Sequence, residues 1–230
     1  MRLCFLFFGP QEEKIAQVMI ASARQFMPNI VLTQLTDMTT KRVKGVDECR
    51  RLDGMTYGYL LAHHMSQCPH PLIRVDYDMV FQGDITHVMD GDYFDMAFNL
   101  HGDPNVISTE FGRKYPLATC LWGAKDNRFA TDFRAHHIKS GRDDWLGLVP
   151  SANEVAERYR IKTLDGAVYN YCPKDRDDKP ASALVIHYKG PRKEWMLPEG
   201  EAHLARNDVR RLGKRILEYA PRDEELRVER

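Results

Sequence analysis

The stretch Pro71-Leu-Ile-Arg-Val-Asp-Tyr-Asp-Met-Val-Phe81 carries two carboxylates inside an apolar run. Apolar residues precede Asp76 and follow Asp78, which predicts one buried strand that bears both aspartates at its carboxyl end and then continues. Asp-x-Asp also occurs in many solvated turns, but buried aspartate is rare unless it is paired or bound to a cation. The apolar flanks therefore favour a divalent cation or a cluster of basic groups at this position.

The segments before this stretch predict a parallel sheet. A continuous apolar run at 3–8 is typical of a buried strand, residues 30–35 predict a second strand, and helical spacing of apolar residues occurs at 11–27 and 52–66. Strands that alternate with helices indicate an α/β protein with a mostly parallel central sheet flanked by helices. Gly9-Pro10 and the aspartate pair both fall where a strand ends, so we expect them to share one site.

The rest of the chain predicts further strands, helices and loops. The predicted elements are a short helix or turn at 83–90, strands at 94–98, 117–122 and 183–186, short strands or extended segments at 161–164 and 168–171, and a helix at 127–137. Residues 36–50, 99–117 and 140–150 are predicted to be loops. Ser151-Ala-Asn-Glu154 resembles a capping box that opens a short helix.

Composition narrows the class of protein. The 230 residues carry 33 basic and 33 acidic side chains, a balance that argues against non-specific nucleic-acid binding as the main role. The five cysteines are scattered and form no Cys-x-x-Cys, which favours reduced thiols in a cytoplasmic protein. No run approaches the roughly 18 apolar residues that a membrane span needs, and the N-terminal apolar run predicts a strand instead of a signal peptide.

A second stretch, His187-x-x-Gly190-x-x-Lys193-x-Trp195, follows the apolar run at 183–186. A neutral imidazole can bind a divalent metal, and glycine lets the backbone approach a phosphate closely. Lysine supplies a mobile positive charge for the same phosphate. Taken one at a time these residues are ordinary for a strand end and a basic turn. Their occurrence together, in this order, indicates a phosphate site.

The two stretches together resemble the GT-A fold nucleotide-sugar glycosyltransferases, in particular glycosyltransferase family 8, the glycogenin and bacterial lipopolysaccharide galactosyltransferase family. The resemblance covers residues 1–197, and we expect residues 198–230 to form a C-terminal helical extension. It implies a UDP-sugar donor and a bound Mn²⁺ or Mg²⁺. It also implies hexosyl or pentosyl transfer with retention of the anomeric configuration.

The resemblance assigns roles to individual residues. The implied metal ligands are Asp76, Asp78 and His187, and the implied donor-binding residues are Phe8, Gly9, Pro10, Tyr77, Gly190 and Lys193. Departures from the family pattern limit these assignments, among them Thr119-Cys-Leu-Trp-Gly123 in the place of the family's Asn-x-Gly strand. Lys193-Glu194-Trp195 stands where the family usually has Lys-Pro-Trp, and the family's later Asp-Gln pair is absent. The nearest acidic pair, Asp143 and Asp144, is the candidate replacement in the catalytic position.

Alternative functions remain open at this point. The acceptor could be a glycan, which we favour, or a lipid-linked sugar, a protein or a modified DNA base, as for some bacteriophage enzymes. A nucleotidyltransferase also uses aspartate and a divalent metal, but it needs a glycine-rich basic loop after the first strand, and Phe8-Gly9-Pro10-Gln11 lacks one. A non-catalytic nucleotide-binding domain is a third interpretation, which intact metal ligands argue against.

Overall fold

The computed structural model describes residues 1–9, 11–52, 57–141, 145–178 and 180–197. The strands are β1 Arg2–Leu6, β2 Val31–Thr36, β3 Glu48–Arg51, β4 Leu72–Val75, β5 Met79–Phe81, β6 Met96–Leu100, β7 Leu117–Ala124, β8 Ile161–Leu164 and β9 Val185–His187. The helices are α1 Glu13–Phe26, α2 Tyr57–Gln67, α3 Pro104–Ile107, α4 Glu110–Lys114, α5 Arg128–Ser140, α6 Trp145–Ala156 and α7 Gly166–Tyr169. Short 3-10 helices cover Thr86–Met89 and Gly190–Arg192.

The central sheet has seven strands in the order β3-β2-β1-β4-β7-β6-β8. The first four of these strands are parallel to one another, and β8 is parallel to β6. Only β7, among the described strands of this sheet, runs antiparallel to its neighbours β4 and β6. This arrangement confirms the predicted α/β class with a mostly parallel sheet flanked by helices.

The continuous apolar run of β1 is explained by burial on both faces of the sheet. Leu3 and Phe5 face one core cluster, which includes α1 and β5, whereas Cys4 and Leu6 face a second cluster, which includes residues of α2 and α5. All four side chains are at most 2% exposed. Burying a leucine or phenylalanine side chain fully contributes about 1.5–3 kcal/mol, so both layers of helices hold the sheet in place.

The stretch from Pro71 to Phe81 does not form the single strand that its apolar character predicted. It forms β4 in the central sheet and β5 in a separate two-stranded sheet with β9. The break falls on residues 76–78, here called the aspartate turn. Two carboxylates within one central strand would lose their hydration between apolar neighbours. The chain leaves the central sheet at Asp76, where both carboxylates find polar partners.

Three loop predictions were wrong in part. Residues 36–50 end in the polar edge strand β3, which an ion pair from Arg2 Nη1 to Glu48 Oε2 at 2.5 Å ties to β1. The loop at 99–117 contains α3 and α4, and residues 145–150 of the loop predicted at 140–150 belong to α6. The segment at 168–171, predicted as a short strand or extended segment, begins in α7 and ends in an isolated bridge between Tyr171 and Ile186. A polar edge strand and single helical turns carry too little hydrophobic periodicity to be recognised.

The predicted capping box at Ser151 was also wrong. Helix α6 begins before it and runs through Pro150, so Ser151 lies inside the helix. The hydroxyl of Ser151 is buried and lies 3.2 Å from Nδ1 of His137 in α5. Tertiary packing between the two helices therefore decides the role of this serine, whereas the local sequence pattern suggested a cap.

Within the described ranges, no helix is both long enough and apolar enough to cross a membrane. The predicted C-terminal extension at 198–230 lies outside the described residues.

His64 gives a prediction about the pH dependence of folding stability. This α2 side chain is 4% exposed, and its Nε2 lies 3.1 Å from the carbonyl oxygen of Thr36. Burial lowers the pKa of His64 from 6.5 to about 4, because the charged imidazolium loses hydration. The unfolded chain therefore binds more protons than the folded protein between pH 6.5 and 4, and the free energy of unfolding falls as the pH falls through that window.

His64→Gln keeps an N–H donor for Thr36. The free energy of unfolding should fall by about 2–3 kcal/mol less across this pH window in the variant than in the wild-type protein. Urea unfolding at pH 7.5 and pH 4.5 in both proteins measures the difference. An equal slope in the two proteins would contradict the assignment.

Candidate functional site

The candidate site lies where β4 ends and the small sheet begins. In the small sheet Met79 pairs with His187, so the imidazole stands next to the aspartate turn. The backbone N–H of Tyr188 donates to the carbonyl oxygen of Asp78 at 3.0 Å and extends this pairing. The antiparallel register thus brings together the side chains of Asp78 and His187, which are 109 residues apart in the sequence.

His187 lies between the two aspartates. Its Nε2 is 3.1 Å from Asp78 Oδ1 and 3.5 Å from Asp76 Oδ2. All three predicted metal-binding side chains are therefore neighbours. The site joins two sheets, because His187 belongs to the small sheet whereas Asp76 follows a strand of the central sheet.

The orientation of the His187 ring is fixed by Asn170. Nδ1–H donates to Asn170 Oδ1 at 2.8 Å, and the asparagine is fully buried. With its proton on Nδ1, a neutral imidazole presents the lone pair of Nε2 to the aspartates. Metal-binding histidines are commonly oriented by such a hydrogen bond to the other ring nitrogen. Sequence reasoning missed Asn170, because nothing in the pattern connects it with the late motif.

The side chains around Asp78 form a buried charge network. Burial by itself lowers the pKa of His187, but the charge of Asp78 and the hydrogen bond to it outweigh burial and raise that pKa to about 9. Burial likewise raises the pKa of Asp78, but the positive charges of His187 and Lys193 outweigh it and lower that pKa to about 2. Lys193 Nζ lies 3.1 Å from Asp78 Oδ2. Asp78 is therefore ionised and compensated by two cations at neutral pH.

Asp76 is compensated by Arg74. The Arg74 side chain is 2% exposed, and its guanidinium donates to Asp76 Oδ1 and to the carbonyl oxygen of Thr119. Our sequence reasoning did not single out Arg74 as a site residue. The signal was nevertheless present, because residues i and i+2 of a strand share a face and Arg74 stands two positions before Asp76.

Tyr77 joins the end of β1 to the aspartate turn. Its ring packs edge-on against Phe7 at a centroid distance of 5.4 Å, and its hydroxyl donates to Gln11. Lys193 Nζ donates to the Tyr77 hydroxyl oxygen at 2.7 Å and lies 4.5 Å from the ring centroid. The lysine therefore reaches both a carboxylate and an aromatic ring from one position.

The remaining predicted donor-binding residues are placed unequally. Gly9 and Gly190 are exposed and have φ angles of +70° and +58°, a conformation that favours glycine. The N–H of Gly9 donates to Thr40 Oγ1 at 2.8 Å. Phe8 is half-buried beside the second core cluster. Pro10, Asp143 and Asp144 lie outside the described residues.

These side chains fit a divalent cation chemically. Two carboxylates and an imidazole are the oxygen and nitrogen donors that Mn²⁺ accepts. Their present partners are positive groups, namely the guanidinium of Arg74, the ammonium of Lys193 and the proton on His187. A divalent cation would replace the proton on His187 and take over the charge compensation that Lys193 supplies to Asp78.

The segment that holds Asn170 packs closely against Gly102, with no room for a side chain on that glycine. A Cβ atom on Gly102 would lie 1.9 Å from the carbonyl oxygen of Asn170 and 2.5 Å from that of Gly166. Both are backbone atoms, so the segment must move. Gly102→Ala should lower the free energy of unfolding by about 1–3 kcal/mol, measured by urea denaturation.

Gly83→Ala is the matched control, because a Cβ there would meet only the flexible end of the Leu184 side chain at 2.7 Å. Equal losses in the two variants would contradict the view that the Gly102 contact positions this segment.

Comparison with known proteins supports the fold assignment. No protein-family model and no curated protein sequence matches the chain. Solved structures with a similar fold include the galactosyltransferase LgtC in complex with donor and acceptor sugar analogues, at 12% identity and a TM-score of 0.55, covering 90% of this chain and 100% of LgtC. The glycosyltransferase GlyE of Streptococcus pneumoniae TIGR4, in its apo form, matches at 12% identity and a TM-score of 0.63, covering 94% of this chain and 63% of GlyE.

At these identities the likeness concerns the fold. The chain has the GT-A fold, and the predicted resemblance to glycosyltransferase family 8 is confirmed at that level.

Proposed function

We propose that this protein is a metal-dependent glycosyltransferase that moves a sugar from a nucleotide-diphosphate sugar, a UDP-sugar in the first instance, to an acceptor hydroxyl. The observation that carries the proposal is the cluster of Asp76, Asp78, His187 and Lys193 at the end of β4. The shared fold with LgtC, which has been solved with donor and acceptor sugar analogues, supports the assignment of this cluster to a sugar donor.

The chemistry of sugar transfer suits the residues of the cluster. Negative charge develops on the leaving diphosphate when the bond to the sugar breaks, and positive groups placed at that charge lower the barrier. A Mn²⁺ or Mg²⁺ ion held by Asp76, Asp78 and His187 would supply part of this charge stabilisation as a Lewis acid. Lys193 would supply the rest through its ammonium group.

Lys193 is suited to this role by its present contacts. It is half-buried, and its ammonium is held by Asp78 and Tyr77. Once Asp78 is engaged elsewhere, the ammonium is free to turn toward diphosphate oxygens beside the exposed backbone of Gly190. The tyrosine ring then limits how far the ammonium can move.

We also propose a glycan acceptor, transfer of a hexosyl or pentosyl group with retention of the anomeric configuration, and a cytoplasmic location. Asp143 and Asp144 are proposed to orient the sugar or the acceptor. Transfer to a modified DNA base is the alternative. Equal numbers of basic and acidic residues count against it.

The test is a thermal-shift screen of UDP-, GDP-, CDP- and ADP-sugars with and without Mn²⁺, followed by donor hydrolysis and transfer assays with the base that binds. We expect metal-dependent stabilisation by one nucleotide class and release of the nucleotide diphosphate. Failure of every donor to bind in the presence of metal would overturn the proposal. Salt-dependent binding to DNA would instead favour the DNA-base alternative.

Lys193→Met should lower kcat/KM for the donor by on the order of 10²-fold, because one positive group at the leaving diphosphate is lost. Steady-state kinetics at saturating Mn²⁺ measures the effect. Lys139→Met, at an exposed position near the end of α5, is the control and should retain full activity. Equal activity in the two variants would remove Lys193 from the proposed mechanism.

A further inference from the structure

A thiol belongs to the same cluster as the predicted metal ligands. Cys120 lies on β7, and its Sγ, a carboxylate oxygen of Asp76 and a ring nitrogen of His187 all lie within 4.8 Å of one another. The strand register explains this proximity. β7 runs antiparallel to β4, Val75 pairs with Leu121, and the backbone N–H of Asp76 donates to the carbonyl oxygen of Cys120 at 3.0 Å.

The thiol is held in place by Asn99. Cys120 is 5% exposed and Asn99 is fully buried. Asn99 Nδ2 donates to Cys120 Sγ at 3.4 Å, while Asn99 Oδ1 accepts from the N–H of Leu121 at 3.1 Å. The amide is thus fixed at both ends and offers an N–H group to the sulfur. A hydrogen-bond donor of this kind stabilises a thiolate and orients it, as outer groups do for other metal ligands.

We propose that Cys120 is a thiolate ligand of the metal ion beside Asp76 and His187, so that the thiol strengthens the binding of Zn²⁺ and Co²⁺ but not that of Mg²⁺. The proposal rests on the metal site of the proposed function and adds one ligand to it. On binding, a bond forms between the metal and Sγ, and the thiol proton passes to the solvent. The metal does not change its oxidation state.

The donor set supports this role for the thiol. Sulfur, nitrogen and oxygen donors, from Cys120, His187 and Asp76, are ligand types that zinc takes, and Asp78 would add a second oxygen to them. Thiolates select softer ions, whereas carboxylates also suit Mg²⁺ and Mn²⁺. Two metal–ligand bonds of about 2.0–2.3 Å span at most about 4.6 Å, so the three side chains need only a small adjustment to share one ion.

Cobalt provides a test that does not depend on activity. Co²⁺ added to the metal-free protein should produce a thiolate-to-cobalt charge-transfer band in the near ultraviolet, in addition to its visible d–d bands. The charge-transfer band should persist in Cys68→Ser, which changes another buried cysteine in the second core cluster. It should disappear in Cys120→Ser, where the d–d bands remain.

Affinity supplies a second measurement. Cys120→Ser should weaken Zn²⁺ binding on the order of 10–100-fold, because losses of this size occur even when only an outer partner of a ligand is removed. Mg²⁺ binding should not weaken in the same variant. Cobalt binding without the charge-transfer band, or persistence of the band in Cys120→Ser, would overturn the proposal. So would failure of the wild-type protein to bind cobalt, a result that does not depend on the folding of any variant.

The two proposals fail separately. A thiolate band together with no binding of any nucleotide sugar would leave Cys120 as a ligand and count against the glycosyltransferase. Donor binding and transfer with Mn²⁺ but no thiolate band would support the glycosyltransferase and exclude Cys120 as a ligand.

Discussion

Asp78→Asn is expected to abolish metal-dependent donor binding and to lower kcat/KM by about 10³-fold or more. The expected loss follows from the several kcal/mol of charge stabilisation that a metal ion supplies at a developing charge, where each 1.4 kcal/mol is about tenfold in rate. Asparagine keeps the shape of the side chain but removes its charge. His187 and Lys193, which lie 3.1 Å from the two carboxylate oxygens, are then left as neighbouring cations.

Calorimetric titration with Mn²⁺ and the donor, together with steady-state kinetics, measures both effects. Asp84→Asn is the matched control, because that aspartate follows β5, is exposed and accepts hydrogen bonds from the neighbouring Thr86. It should retain both donor binding and turnover. Full metal-dependent activity in Asp78→Asn would remove this aspartate from the metal site and, with it, the main support for the proposed function.

Arg74→Met should produce the largest loss of stability, about 3–5 kcal/mol, because removal of one member of a buried ion pair leaves the other charge uncompensated. Arg74 is 2% exposed and donates to both Asp76 and the backbone of Thr119. Methionine fills much of the same volume, so the loss reflects charge and hydrogen bonding. Urea unfolding of the metal-free protein gives the free-energy difference.

A double-mutant cycle isolates the pair. Asp76→Asn in the Arg74→Met background should recover much of the loss, since the carboxylate that lacked a partner is then neutral. Arg160→Met, which removes a largely exposed guanidinium from Asp95, should have a much smaller effect. Additive effects of Arg74→Met and Asp76→Asn would show that the two side chains do not compensate one another.

The sequence was sufficient for the parts of the fold that depend on long apolar patterns. The run at β1 predicted burial on both faces, and helical spacing predicted α1 to within two residues at either end. The aspartate pair and the late histidine were informative because a buried carboxylate has few chemical uses. Their proximity did not follow from either pattern alone and required the family resemblance.

Other features depend on pairing that a linear sequence does not contain. The chain leaves the central sheet at the aspartate turn because β9 is available to pair with β5, and β9 lies more than a hundred residues away. The contributions of Asn170 and Cys120 arise from strand register and packing in the same way. Helix α6 passes through Pro150 because its contacts with α5 outweigh local propensity.

The small sheet of β5 and β9 also has a consequence for the order of assembly. Its three-residue strands join a segment from the first half of the chain to one near residue 190. A metal ion shared by Asp76, Asp78 and His187 would act as a removable crosslink that closes a loop of 109 residues, and its stabilisation would vanish with a chelator. A nascent chain would therefore acquire the full set of ligands only after His187 had left the ribosome, and cation binding would report the pairing of β5 with β9.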